Sequence, residues 1–336
     1  MARLNLIEDK RFLLHDPGSG HPERPERLPA VRRGCMAAFA DVQSVQPVEA
    51  TESDLLRVHT AGHVERVLAA RGQRVVFDAD TATSPGSVEA ALLAAGGAIV
   101  ATRAVIEAPD ALWFCNIRPP GHHAEANRAM GFCLFNNVAV AAAWALAQDP
   151  TLRVAIIDPD VHHGNGTQAI FWNEPRVLYI SLHQAPFYPG TGSAAETGGP
   201  AAPGSVINFP LPAGAGDAEY LAIVRDAVRP ALSAFRPGLL LISAGFDAHR
   251  LDPLGGLRVT TEGFGAFFAE IGAWARAAGV PVATMLEGGY SLEALESAVP
   301  ASLQGLAGAF PAVGPVEPPV PAVAARMAEV RRQLGL

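Results

Sequence analysis

Val154-Ala155-Ile156-Ile157-Asp158-Pro159-Asp160-Val161-His162-His163-Gly164-Asn165-Gly166-Thr167-Gln168 decides the reading of this chain. Its first four residues are an apolar run too short for a helix and suited to a strand buried on both faces. The run ends abruptly in carboxylate, carboxylate and imidazole at i, i+2 and i+4. Extended backbone places alternate residues on one face, so Asp160 and His162 can reach a single ion together. A buried strand that ends in such chemistry fits an open parallel α/β sheet, where ligands bind beyond the carboxyl ends of the strands.

Four more apolar runs behave the same way: Ala111–Ile117, Val177–Ser181, Leu239–Ser243 and Val280–Leu286. Ala-rich segments with helical character separate them, at about 87–107, 134–148, 217–235 and 261–278. Strands alternating with helices indicate a largely parallel sheet. Each strand is followed within a few residues by groups suited to chemistry. His122 and His123 follow the first, Asp158, Asp160 and His162 the second, His183 the third, Asp247 the fourth and Tyr290 the fifth. One domain is expected over residues 1–336, closed by a Pro-rich strap and a short amphipathic helix at about 310–336.

Composition removes several alternatives. The 336 residues are 49% hydrophobic and 17% charged, which supplies a sizeable core. Lys10 is the only lysine, so there is no P-loop lysine, Schiff-base lysine or Ser–Lys dyad. Three scattered cysteines make neither a disulfide framework nor a metal knuckle. The formal charge of −8 argues against a nucleic-acid partner and is compatible with a cationic substrate. The first residues lack the apolar core of a signal peptide, and the apolar stretches near 90–102 and 138–147 fall short of the roughly 18 residues a membrane span needs. A soluble cytoplasmic protein without a membrane partner is expected.

Asp247, at the end of Ser243-Ala244-Gly245-Phe246-Asp247, completes a set of two carboxylates and one imidazole with Asp160 and His162. Three such ligands with open positions suit catalytic zinc, and mixed O/N ligation also accepts iron(II). A lone Asp-x-His would more often cap a helix or end a strand. The flanking run to Gln168 and the distant Asp247 argue for the metal. His59 and His63 are spaced i, i+4, but Thr60 stands where a zinc-protease helix carries glutamate, so a structural role is expected. The Gly190-Thr191-Gly192-Ser193-Ala194-Ala195 run meets the loose dinucleotide pattern but leads into Gly/Pro-rich loop, and is set aside. His163, His183 and His249 border the crevice and suit hydrogen bonding better than ligation.

Several segments resemble motifs of the histone deacetylase family, in the family's order and over about residues 15–300. They are His21-Pro22-Glu23-Arg24-Pro25-Glu26-Arg27-Leu28, Arg118-Pro119-Pro120-Gly121-His122-His123-Ala124-Glu125, Asp158 to Gln168, the segment ending at Asp247, and Glu287-Gly288-Gly289-Tyr290. Asn165 and the His-His-Ala-Glu form resemble the class II branch and its bacterial relatives, including acetylpolyamine amidohydrolases. The resemblance implies an arginase-like sheet of about eight mostly parallel strands with helices on both faces. It also implies metal-dependent removal of acyl groups from amines.

Within that resemblance, Asp158 supports His122 and Asn165 supports His123. Proton transfer is assigned chiefly to His123, with His122 as its electrostatic partner. Tyr290 would donate to the tetrahedral oxyanion, a contribution on the order of 3 kcal/mol. Phe132 and Tyr188 would flank the linear acyl-amine chain, and the Gly131 carbonyl would accept the amide N–H. Cys133 reads as a small buried hydrophobe. Arg27, or in competition Arg24, would sit near the pocket floor.

The resemblance implies structural potassium as well. The nearer site draws on Asp158, Asp160, His162, Ser181 and Leu182, and the further one on Phe171, Glu174, Val177 and Ser205. Leu254 occupies the position where polyamine-selective relatives place an acidic gatekeeper. This leans towards an acetyl-lysine peptide, with small acetylated amines as the alternative. A two-manganese ureohydrolase needs a late Asp-x-Asp, where this chain has Asp247-Ala248-His249. A catalytically silent acyl-amine binding protein is the rival of another class. Homo-oligomerisation is left open.

Overall fold

The computed structural model describes residues 3–311 and 317–335. Among them, eight strands form one sheet: β1 Leu4–Ile7, β2 Val42–Val45, β3 Leu112–Cys115, β4 Val154–Asp158, β5 Val177–Gln184, β6 Val206–Leu211, β7 Leu239–Ala244 and β8 Val282–Leu286. Their order is β2-β1-β3-β8-β7-β4-β5-β6, and every pairing is parallel. The five strands read from sequence are the contiguous set β3-β8-β7-β4-β5. The three unread strands lie towards the two sides of the sheet, and their sequences explain why. β2 is Val-Gln-Ser-Val at one edge, β1 is four residues long with Asn5 within it, and β6 carries Pro210 at the other edge. Proline lacks the N–H of a ladder donor and is tolerated at a sheet edge.

Helices pack on the sheet as the alternation requires. Asn137–Gln148 starts where the Asn136 side chain accepts from Ala139 N at 3.0 Å. Thr261–Ala278 starts at Thr260 and stops at Gly279, whose φ of +67° suits a left-handed C-cap. The segment expected as one helix over 217–235 is two α-helical pieces, Asp217–Ile223 and Arg229–Phe235, joined by a π turn at Val224–Val228. Pro230 has no N–H to return to Asp226, and the ladder widens just before it.

One expectation on length needs correction. The helix Ser87–Glu107 is long and apolar enough to cross a membrane by length and composition, because its Ala, Gly and Thr residues extend the stretch beyond 90–102. It packs instead as a core helix, with 72% of the apolar window buried inside the fold. The expected C-terminal helix is Pro321–Gln333; residues 312–316 of the Pro-rich strap lie outside the described residues. That helix rests on β6, where Arg326 Nε donates to the Asn208 carbonyl at 2.9 Å.

Candidate active site

Groups from the segments after β3, β8, β7 and β4 come together, whereas His183 at the end of β5 meets Ser181, the Gly192 carbonyl and His163. Asp160, His162 and Asp247 converge, with one ligand atom of each within 4.8 Å of the others. His162 Nδ1 lies 3.1 Å from Asp160 Oδ1 and 3.2 Å from Asp247 Oδ2. Backbone N–H groups hold the remaining carboxylate oxygens. Val161 N donates to Asp247 Oδ1 at 2.8 Å and Gly288 N to Asp160 Oδ2 at 2.9 Å. Gly288 must be glycine for this approach, since a Cβ would collide with both carboxylates.

Both aspartates are fully buried, and among the described residues their only ion-pair partners are histidines. Burial, reinforced by Asp160, pushes the Asp247 carboxyl up to about 7. Burial opposes a charged His162, but hydrogen bonds to Asp160 and Asp247 lift its imidazole to about 10. Buried charge is stable only when paired or coordinated. Two carboxylates and an imidazole competing for positive charge are the donor set that a divalent ion satisfies, and the three residues fit zinc. Among the described residues, no other group of three His, Cys, Asp or Glu side chains has metal-ligand spacing.

The two histidines of the Gly-His-His turn lie beside this triad, with ring centroids 4.0 Å apart and planes tilted by 42°. Their surroundings differ. His122 Nδ1 lies 3.0 Å from Asp158 Oδ2, an oxygen that also accepts from the Tyr179 hydroxyl at 2.9 Å. His123 Nδ1 lies 2.8 Å from Asn165 Oδ1. Burial disfavours charge on both rings. For His122 the carboxylates of Asp160 and Asp158 overcome it and raise the pKa well above the ordinary value. For His123 burial prevails, aided by the positive His122 and His162, and the pKa falls well below it.

Tyr290 follows β8. Its backbone N–H donates to Asp252 Oδ2 at 2.6 Å, and the Arg27 guanidinium lies 5.1 Å from its ring centroid. Burial, with Asp247 nearby, raises the phenol pKa well above the ordinary value, so the hydroxyl stays protonated and able to donate. Phe132 presents a T-shaped contact to Tyr290 at 5.8 Å, and Tyr188 meets His123 at 5.2 Å. Gly131 and Phe132 both have positive φ, +57° and +70°, and a Cβ on Gly131 would run into the His123 ring. The Gly131 carbonyl accepts from the buried Cys133 thiol at 3.2 Å. Burial raises the pKa of that thiol, in keeping with an inert side chain. Leu254 is half-buried beside Tyr290 and lines, with His21, Arg24 and Pro253, a cavity of ≈ 640 Å³.

The residues expected around monovalent cations occupy two places. Asp158 and Ser181 are partners across β4 and β5, and Ser181 Oγ also lies 2.9 Å from His183 Nδ1. Phe171 O accepts from Glu174 N and Glu174 O from Val177 N, at 3.0 and 3.1 Å. The buried Ser205 Oγ has no hydrogen-bond partner among the described residues. Of the competing arginines, Arg27 is buried and donates to the Gly289 carbonyl at 2.6 Å, whereas Arg24 is exposed. Both nitrogens of His59 and Nε2 of His63 contact backbone groups, while the buried His63 Nδ1 has no partner among the described residues.

Sequence reasoning missed the residues that hold these groups in place. Glu287 accepts from Gly121 N, His122 N and Ser243 Oγ, at 2.6, 3.2 and 2.7 Å. Glu23 binds both Arg27 and Arg118 in a fully buried cluster. Phe187 stacks on His162 at 5.2 Å. Glu23 and Glu287 sit inside quoted motifs and Phe187 directly precedes Tyr188, but only the fold shows what they touch. Tyr179 and Asp252 carried no signal apart from position.

Residues 21–306 match the histone deacetylase domain family. The chain is 39% identical over 293 residues to a probable deacetylase of Archaeoglobus fulgidus, covering 86% of this chain and 81% of that protein. It is 41% identical over 307 residues to a probable deacetylase of Methanothermobacter thermautotrophicus, covering 90% of each. The crystal structure of the HDA15 HD domain superposes with a TM-score of 0.88 at 36% identity, covering 99% of this chain and 94% of that one. Motifs, sheet and comparisons agree: the chain belongs to the histone deacetylase family.

Proposed function

We propose that this protein is a zinc-dependent deacylase that removes acetyl or other short acyl groups from lysine side chains or small amines. The observation that carries the reading is the adjacent His122–His123 pair, one ring bonded to Asp158 and the other to Asn165, beside a three-ligand metal site. Asp160, His162 and Asp247 would hold the ion. When bound, zinc supplies Lewis-acid chemistry, polarising the amide carbonyl and acidifying water; iron(II) is the alternative occupant.

The protein's own groups do the rest. Neutral His123 accepts the proton of the attacking water at Nε2. His122, held at Nδ1 by Asp158, is the electrostatic partner that stabilises the negative charge that develops. The proton on His123 then passes to the leaving amine. The neutral Tyr290 hydroxyl donates to the oxyanion of the tetrahedral species. Phe132 and Tyr188 flank the aliphatic chain of the substrate, and Gly131 O orients its amide N–H. Potassium at Asp158 and Ser181, and in a second site beside Ser205, belongs to the same proposal. The unpartnered Ser205 Oγ supports the latter.

Leu254 at the rim, in place of an acid, favours an acetylated lysine peptide over an acetylpolyamine. The nitrogens of His249 contact Thr261 Oγ1 and Leu251 N, which argues against a second metal of the ureohydrolase kind. The proposal also keeps a cytoplasmic location without nucleic-acid or membrane partners. Acetate release should be measured in parallel on an acetyl-lysine peptide and on N-acetylputrescine. Peptide turnover supports the reading. Turnover of the polyamine alone overturns the role given to Leu254. No acetate from either, with zinc bound, shifts the protein to a silent binder of acylated amines.

A further inference from the structure

The proton acceptor assigned above must present an unprotonated Nε2, and the asparagine beside it does not guarantee that. An amide offers an acceptor on one side and a donor on the other. With Oδ1 towards His123 the ring is forced to carry its proton on Nδ1, which leaves Nε2 free. With the amide reversed, Nδ1 becomes the acceptor and the proton moves to Nε2, where it blocks proton uptake.

The surroundings of Asn165 settle the orientation. Its Nδ2 donates to Glu125 Oε1 at 2.9 Å, with Met130 Sδ and the His123 carbonyl as longer acceptors, each at 3.4 Å. An ionised carboxylate only accepts, so Glu125 requires the NH₂ group on its side and the oxygen on the side of His123. Glu125 is itself held by Arg128 Nη2 at 2.9 Å and by its backbone bridge to the same residue.

We propose that Glu125 is the positioning residue that sets the tautomer of His123, acting through Asn165. The carboxylate does not touch substrate. It fixes the amide, and the amide fixes the ring. The chain Arg128–Glu125–Asn165–His123 thus gives the second histidine a fixed tautomer without placing a negative charge against it, as Asp158 does for His122.

This inference rests on His123 being the proton acceptor, so its test needs a readout independent of turnover. The zinc-loaded protein, labelled with ¹⁵N-histidine, reports the tautomer of His123 directly by long-range ¹⁵N–¹H correlation. The wild type is expected to show protonated Nδ1, and Glu125→Ala a mixture or a reversal. Glu125→Gln keeps an acceptor oxygen and should retain the wild-type tautomer. In steady state, Glu125→Ala should lose roughly 10–100-fold in kcat, the usual scale for an outer partner, with KM within about 3-fold. Glu125→Gln should recover most of the loss. A wild-type tautomer in Glu125→Ala overturns the proposal, whatever the activity. A reversed tautomer with undiminished kcat leaves Glu125 in its role but removes His123 from the mechanism proposed above.

Discussion

Glu23→Gln is the perturbation that the structure prices most clearly. Glu23 is fully buried and accepts from Arg27 Nη1 at 2.9 Å and from Arg118 Nε and Nη2 at 2.8 and 2.7 Å. His15 Nε2 lies 3.2 Å away. The substitution leaves two buried guanidinium groups without their carboxylate, which costs about 3–5 kcal/mol. At about 2.1 cal/mol/K per residue, 336 residues give an unfolding entropy near 0.7 kcal/mol/K, so the melting temperature should fall by about 4–7 °C at pH 7. The exposed Arg3–Asp41 pair is the control: Asp41→Asn should move the melting temperature by less than about 1 °C.

The pH dependence has a definite sign. Burial pushes the Glu23 carboxyl up, but Arg118 and His15 outweigh it and hold the pKa well below 4.5. A depressed carboxylate adds stability above its unfolded value that is lost as pH falls towards the folded one. Scanning calorimetry should therefore show the wild type and Glu23→Gln converging below about pH 4. Activity should also drop, because Arg27 and Arg118 anchor the end of β8 and the turn that carries His122. A melting temperature within about 1 °C of wild type at pH 7 would refute the argument.

Tyr290→Phe removes one oxyanion donor and should lower kcat about 10²–10³-fold with little change in KM, read by acetate release. Gly131→Ala places a methyl against the His123 ring at a positive φ, and steady-state kinetics should show near-complete loss of kcat in a protein that still binds zinc. Leu254→Glu adds an acid at the rim beside Tyr290, and competition assays should show kcat/KM shifting towards N-acetylputrescine and away from the peptide.

The sequence disclosed the centre of the sheet and the candidate site residues for one physical reason. Central parallel strands are buried on both faces and read as unbroken apolar runs. Their ends collect polar residues because ligands bind there. β2 and β6 lie at edges, where Gln43, Ser44 and Pro210 are tolerated and the apolar signal is diluted. β1 matches β3 in length, but Asn5 within it and the flanking Arg3 and Glu8 leave no unbroken apolar run. Asp160, His162 and Asp247 were legible from spacing and strand position. Glu287 and Glu23 were not, because their role is contact with residues more than 90 positions away, Gly121 in one case and Arg118 in the other. The membrane-length helix Ser87–Glu107 shows the converse limit, since composition alone does not distinguish a buried core helix from a span.

The most direct test is a zinc titration of chelator-treated protein, following acetate release from an acetyl-lysine peptide. The site geometry predicts activity that rises from none and saturates at one ion per chain, with Asp247→Asn shifted to far higher zinc. Full activity without metal, or saturation only at two ions per chain, would contradict the account.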